Sequence, residues 1–350
     1  MTLVLTGASL FAAIIPIILF LFCIWNFDLY DRKPLWLMGG AFLWGAFGSV
    51  PLAILGQITI DPILYNLFGS EADAIAVAIG APITEEPAKA LILVLLIRAK
   101  RFNNICDGFV FGAASGLGFG MTENAKYFME TAMAVGDLAG GTAQWMQLVL
   151  TRTLFCAIMH AAATSLVGAA TGLSKFNRWP IRALAVCVGM ILAMGMHALW
   201  NGLLVTEITP GKDFLRLSEF FGTGTDIEPF LYSSFFFLIE LAIVFSFFWM
   251  CLWWEGIMLY RALQKESEKG HIPSEHVPFL ASYFARSQEK WLDSSIPKEE
   301  YIRLSTHLAQ RGSQLESFTG NQRYWYELDY RRLKEEVGDV LSATSTQEKS

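Results

Sequence analysis

The sequence predicts an all-α polytopic membrane protein, with about seven transmembrane helices and a small helical cytoplasmic tail domain. Three observations predict it. Of 350 residues, 54% are hydrophobic and only 17% are charged, against roughly 25% in an average soluble chain, and the mean hydropathy is +0.42. Seven apolar stretches are each long enough to cross about 30 Å of hydrocarbon. The charge collects at the end: residues 261–350 hold 13 of the 26 Lys+Arg and 14 of the 32 Asp+Glu. Residues 1–260 therefore read as the membrane core, 261–342 as a cytoplasmic α-helical domain and 343–350 as a disordered tail.

The first span is 3–27. It has no basic segment before it, and its apolar run from Leu3 to Phe27 is too long for a cleavable signal. The others follow at 35–58, 73–97, 106–128, 147–173, 183–206 and 229–254. Gly80, Pro82 and Pro87 interrupt the third, and Pro87 cannot bond back to Ile83. In the fourth, Gly108, Gly112, Gly116 and Gly120 recur every four residues, a face that lets a neighbouring helix approach closely. One set of loops carries Arg32, Lys33, Arg98, Lys100, Arg101, Lys175, Arg178 and Arg182; the other carries only Lys212 and Arg216. Basic residues favour the cytoplasmic side, so the N-terminus is expected outside and the C-terminus inside. The tail shows two amphipathic segments, 297–311 and 321–338. His271, His276 and His307 match no metal spacing and read as surface residues. The five cysteines lie in or beside apolar segments and read as small core residues.

Ionisable groups inside spans cost several kcal/mol and usually face a cavity or a partner. Here they fall on five consecutive spans: Glu85, Glu86 and Lys89; Glu123 and Lys126; Arg152 and His160; His197, with the amide Asn201; and Glu240. Arg152, Cys156, His160 and Thr164 share one helix face, and His197 and Asn201 are one turn apart. Glu85 and Glu86 both reach Lys89, but adjacent residues diverge by about 100°, so only one acid can use it fully. Glu85, His160 and His197 lie near mid-span, whereas Glu123, Lys126, Arg152 and Asn201 lie in the outer half. A polar cavity near the midplane, open to the outside, is expected.

Two carboxylates, two imidazoles and an amide suit hydrolysis. A carboxylate kept from bulk water can take a proton from a water molecule near neutral pH. An imidazole can orient that water, and an Asn–His pair can donate to a developing oxyanion. No GxSxG or HExxH occurs. Glu85, Glu86, His160 and His197 also have the ligand types of a zinc site, so the cofactor is zinc or none and a metal-assisted route stays open.

EEPAK (85–89), GLGFGMTEN (116–124), RTLFCAIMHAAATS (152–165) and MHALWN (196–201) together resemble the ordered motifs of the PrsW family, intramembrane proteases related to the CAAX prenyl endopeptidases. The resemblance covers roughly 80–205. It implies an intramembrane endopeptidase in a prokaryotic plasma membrane, acting on a single-span membrane protein such as an anti-sigma-factor-like regulator. By analogy it makes Glu85 the base on water, has His160 help bind that water, and puts His197 and Asn201 on the oxyanion. Glu86 is then a second catalytic-site acid that neutralises Lys89, and Glu123, Lys89 and Arg152 support the site. Beyond the substrate and the lipid bilayer, a cytoplasmic partner of the tail is the remaining partner class; no nucleic acid is expected. The alternative is an ion- or proton-coupled transporter using the Glu/His cavity. A retinal protein is disfavoured, because 229–254 contains no lysine.

Overall fold

The computed structural model describes residues 1–175, 177–208, 228–288, 290–317 and 320–347. Lys212 and Arg216 lie outside the described residues, as do 348–350 of the expected disordered tail. The described residues contain helices and no strand. They form two compact units, one running to Phe248 and one that joins Asp28–Arg32 to the chain from Trp249 onward.

The first unit contains α1 (Thr2–Phe27), α2 (Leu35–Leu43), α3 (Ser49–Phe68), α4 (Ala72–Ile75), α5 (Ala81–Leu96), α6 (Ile105–Val135), α7 (Gly141–Thr151), α8 (Ala157–Ser174), α9 (Trp179–Ile208) and the start of α10 (Glu228–Glu268). Among the described residues, six helical stretches are long and apolar enough to cross a membrane. The count is one below the expected seven because 35–58 and 73–97 lie in one stretch, Leu35–Leu96, of 62 residues. At 1.5 Å per residue a straight rod of that length would reach about 93 Å, three bilayers deep. It is instead a hairpin. Gly69, with φ +55, breaks the run after α3, and α3 lies back against α5, where a Cβ on Gly56 would stand 2.9 Å from Thr84 Cγ2.

The irregular backbone is not where Pro87 pointed. Helix α5 runs unbroken through that proline, because one lost hydrogen bond is small beside the packing of α5 against α3, α6, α8 and α9. Single π-helical turns stand instead at Trp44–Gly48, Ala76–Gly80 and Arg152–Cys156. The last two precede the acid pair and His160 by about one turn, and such bulges cluster at functional sites.

The glycine face of α6 does what its spacing predicted. A Cβ would lie 2.0 Å from Gly168 O at Gly108, 2.4 Å from Thr164 O at Gly112, 2.2 Å from His160 O at Gly116 and 3.1 Å from Ala157 Cα at Gly120. Backbone meets backbone along the whole α6–α8 seam, which is what sets the depth of His160. Two of the basic loop residues are internal rather than surface charges. Lys33 pairs with Asp107 at 3.0 Å, both fully buried, and Lys175 Nζ donates to Ala99 O and Phe102 O at 2.8 and 2.6 Å.

The second unit adds α11 (Val277–Ala281), α12 (Tyr283–Arg286), α13 (Lys298–Leu315) and α14 (Gly320–Gln347). The expected 297–311 and 321–338 segments are α13 and α14; α14 also takes in 343–347 of the expected disordered tail. Leu263, Leu280, Tyr301, Leu308 and Val337 form the core. Arg286 is buried within it and donates to Leu280 O, Tyr30 O and Thr306 Oγ1. The three tail histidines are not surface residues. His271 bonds Glu266, His276 bonds Tyr301 and His307 bonds Asp31, all half-buried, since each imidazole finds a polar partner at the edge of this core.

Candidate active site

Helix α5 presents Glu85, Glu86 and Lys89 to the interior, all buried. The two acids differ sharply. Glu86 Oε1 receives Lys89 Nζ at 2.6 Å and His197 Nδ1 at 2.8 Å, and Oε2 receives the Thr164 hydroxyl at 2.9 Å. Glu85 stands 3.6 Å from Lys89. Its Oε1 accepts from Gln57 Nε2 at 3.2 Å, and its buried Oε2 has no hydrogen-bond partner. The lysine is thus taken by Glu86.

The partners assign the imidazole tautomers. An ammonium can only donate, so His160 Nδ1 accepts from Lys89 Nζ at 3.0 Å. His160 Nε2–H then donates to Glu123 Oε2 at 2.8 Å. His197 Nδ1–H donates to Glu86, and in the neutral imidazole Nε2 then carries the lone pair, 3.9 Å from Glu85 Oε2. The two rings meet edge to face with centroids 4.9 Å apart. Phe119 covers the ammonium at 4.4 Å, and Ser115 Oγ fixes the backbone by donating to Lys89 O at 2.9 Å.

A second ion pair adjoins the first cluster. Arg152 Nη2 lies 2.8 Å from Glu123 Oε2, its Nε donates to Asn124 Oδ1 at 3.1 Å, and its guanidinium sits 3.9 Å from the Tyr127 ring. Glu123 keeps a quarter of its side chain exposed, so the cluster is open on this flank. Asn201 donates to Val77 O at 2.9 Å, a carbonyl within the π-helical turn, rather than to an acid or imidazole of the cluster. Lys126 is exposed beside Tyr127. Glu240 is buried on the α10 face that carries Phe237, with both oxygens lacking a hydrogen-bond partner.

Structure therefore brings together Glu85, Glu86, Lys89, His160, His197, Glu123 and Arg152, and it adds Gln57, Ser115, Asn124 and Thr164. Thr164 had a signal, since it lies on the Arg152–His160 stripe. Gln57 had a weak one, a lone amide in an apolar span.

Glu85, His160 and His197 place a donor atom each within 4.8 Å of one another. They match zinc in kind but not in arrangement. His160 has both nitrogens engaged, and the Lys89 ammonium stands among the donors, 3.0 Å from His160 Nδ1 and 3.6 Å from Glu85 Oε2. A dication sharing those donors with an ammonium meets strong repulsion in a low-dielectric site. The Glu85, His160 and His197 donors would accept a metal only with Lys89 turned away from them.

A model described as PrsW family intramembrane metalloprotease matches residues 33–239, more than half of the chain. Protease PrsW of Clostridioides difficile (strain 630) is 38% identical over 117 residues, which are 33% of this chain and 48% of that protein. The chain thus spans about half the length of the curated relative it matches. No solved structure matches it.

Proposed function

This chain belongs to the PrsW family of intramembrane metalloproteases, and from that premise we propose that it is an endopeptidase with Glu85 as the base on water. Its substrate is a single-span protein, cut in or beside the membrane segment. The observation that carries this reading is the asymmetry of the acid pair. Every oxygen of Glu86 is already accepting, from Lys89, His197 and Thr164, whereas Glu85 Oε2 is buried without a hydrogen bond. Protonating Glu86 would break its 2.6 Å ion pair with Lys89 and its hydrogen bonds; protonating Glu85 Oε2 breaks no hydrogen bond and weakens only the 3.6 Å contact with Lys89.

The geometry suits one water molecule. Glu85 Oε2 and His197 Nε2 are both acceptors, 3.9 Å apart. An oxygen about 2.8 Å from each would give its two protons to the two acceptors at an angle of roughly 90°. Glu85 takes one proton as that oxygen attacks the scissile carbonyl, then returns it to the departing amine. The neutral His197 holds the other on Nε2, the nitrogen left bare when Nδ1–H is given to Glu86. This moves the water-orienting role from His160 to His197. His160, clamped between Lys89 and Glu123, fixes the ammonium instead. Asn201 has a second amide proton beyond the one given to Val77 O, and that proton serves the oxyanion.

The exposed flank at Glu123 and the basic bias of the opposite loops favour a site reached from outside, with the N-terminus out and the C-terminus in. Cleavage then falls near the extracytoplasmic side of the substrate, as for an anti-sigma-factor-like regulator. The test is co-reconstitution in liposomes with single-span membrane proteins tagged at both ends. Fragments with the wild type and none with Glu85→Gln are expected. Ion flux without fragments would overturn the proposal in favour of a transporter.

A further inference from the structure

We infer that Gln57, on α3, is a positioning residue for the water-activating carboxylate, an inference that rests on Glu85 being the base. A carboxylate has two equivalent oxygens and can turn about its last bond. Something must select which oxygen faces His197. Gln57 Nε2 donates to Glu85 Oε1 at 3.2 Å, and Oε2 is the oxygen left without a hydrogen bond, 3.6 Å from Lys89 Nζ and 3.9 Å from His197 Nε2. The amide must present its nitrogen, since a carboxylate only accepts.

The backbone is shaped to make this reach possible. Gly56 and Gln57 on α3 face Thr84 and Glu85 on α5. A Cβ on Gly56 would come within 2.9 Å of Thr84 Cγ2 and 3.0 Å of Thr84 Cβ, so the two helices touch at the residue before Gln57. A glutamine one methylene shorter, or a helix one side chain further off, would not span the gap. Other donors around the cluster do different work: Thr164 serves Glu86, Ser115 serves the Lys89 carbonyl and Trp44 Nε1 serves Ala88 O. Gln57 alone among the described donors bonds Glu85.

Gln57→Met keeps the length and removes the donor; Gln57→Asn keeps an amide that falls short, and it carries the test if Gln57→Met fails to fold. Both are measured on the full chain in liposomes, with a single-span protein that the wild type cuts. With the carboxylate free to turn, kcat falls on the order of tenfold, the lower end for loss of an orienting partner. KM stays within twofold and the thermal midpoint is unchanged. Wild-type kcat in both variants, beside an inactive Glu85→Gln, would overturn the role of Gln57 and leave the base assignment standing. Full activity of Glu85→Gln would instead remove the base assignment beneath it. A loss that falls on KM, or on the thermal midpoint, rather than on kcat would show that Gln57 acts elsewhere.

Discussion

Gly116→Ala puts a methyl where α6 and α8 touch. The added Cβ would lie 2.2 Å from His160 O, 2.6 Å from its carbonyl carbon and 2.8 Å from Ala161 Cα. A carbon and an oxygen ordinarily approach to about 3.3 Å, so the two backbones must part by roughly 1 Å. Overpacking of this kind costs about 1–3 kcal/mol. The larger effect is on chemistry. His160 moves with its carbonyl, loosening its bond to Lys89 Nζ and its bond to Glu123, and a misplacement of about 1 Å costs on the order of a hundredfold in rate. The assay is single-turnover cleavage of a reconstituted substrate, beside the thermal midpoint in detergent. Gly195→Ala is the control, because nothing lies within 4 Å of a Cβ there. Wild-type cleavage by folded Gly116→Ala would refute the claim that the α6–α8 seam sets the site.

Thr164→Val keeps the shape and leaves Glu86 Oε2 buried without its donor; a loss of about 1–3 kcal/mol is expected, read as a lower thermal midpoint, and no loss would mean the hydroxyl is idle. With Lys89 among the donors, chelator treatment should leave cleavage within twofold, and zinc measured on the purified protein should be well below one per chain. Stoichiometric zinc with chelator-sensitive cleavage would show that Lys89 swings out. In the tail unit, burial holds the His276 imidazole below its usual 6.5, with Glu275 opposing. The unfolded chain then binds that proton more readily, so this stability is full above about pH 6.5 and is lost as pH falls through the folded value. Hydrogen exchange in Lys298–Leu315 should speed up on acidification in the wild type, beyond its intrinsic pH dependence, and lose that acid sensitivity in His276→Phe.

Much of this was legible because membrane burial makes polar residues conspicuous. Glu85, Glu86, Lys89, His160 and His197 stood out by the cost of placing them in a span, and the α6 glycines by their spacing. The hairpin at Leu35–Leu96 was less legible, since a helical run does not announce where it turns back. Nor does sequence say which acid takes Lys89. Glu85 and Glu86 differ by 100° of helix rotation, and only the positions of α8 and α9 decide which one meets Thr164 and His197. Gln57, Ser115 and Thr164 are neutral and cheap to bury, so they carried little signal. Lys33 and Lys175 count as loop charges in the sequence, but both are buried with partners, which composition alone does not show.

The most direct measurement compares Glu85→Gln with Glu86→Gln in one cleavage and stability experiment. Glu85→Gln removes the base, breaks no hydrogen bond at Oε2 and gives up only the longer 3.6 Å contact with Lys89, which keeps Glu86; cleavage should vanish while the thermal midpoint nearly holds. Glu86→Gln strips the buried Lys89 of its partner at 2.6 Å, a change of about 3–5 kcal/mol, so the midpoint should drop and the folded fraction should retain measurable cleavage. Cleavage surviving in Glu85→Gln and vanishing in a stably folded Glu86→Gln would contradict the assignment and make Glu86 the base.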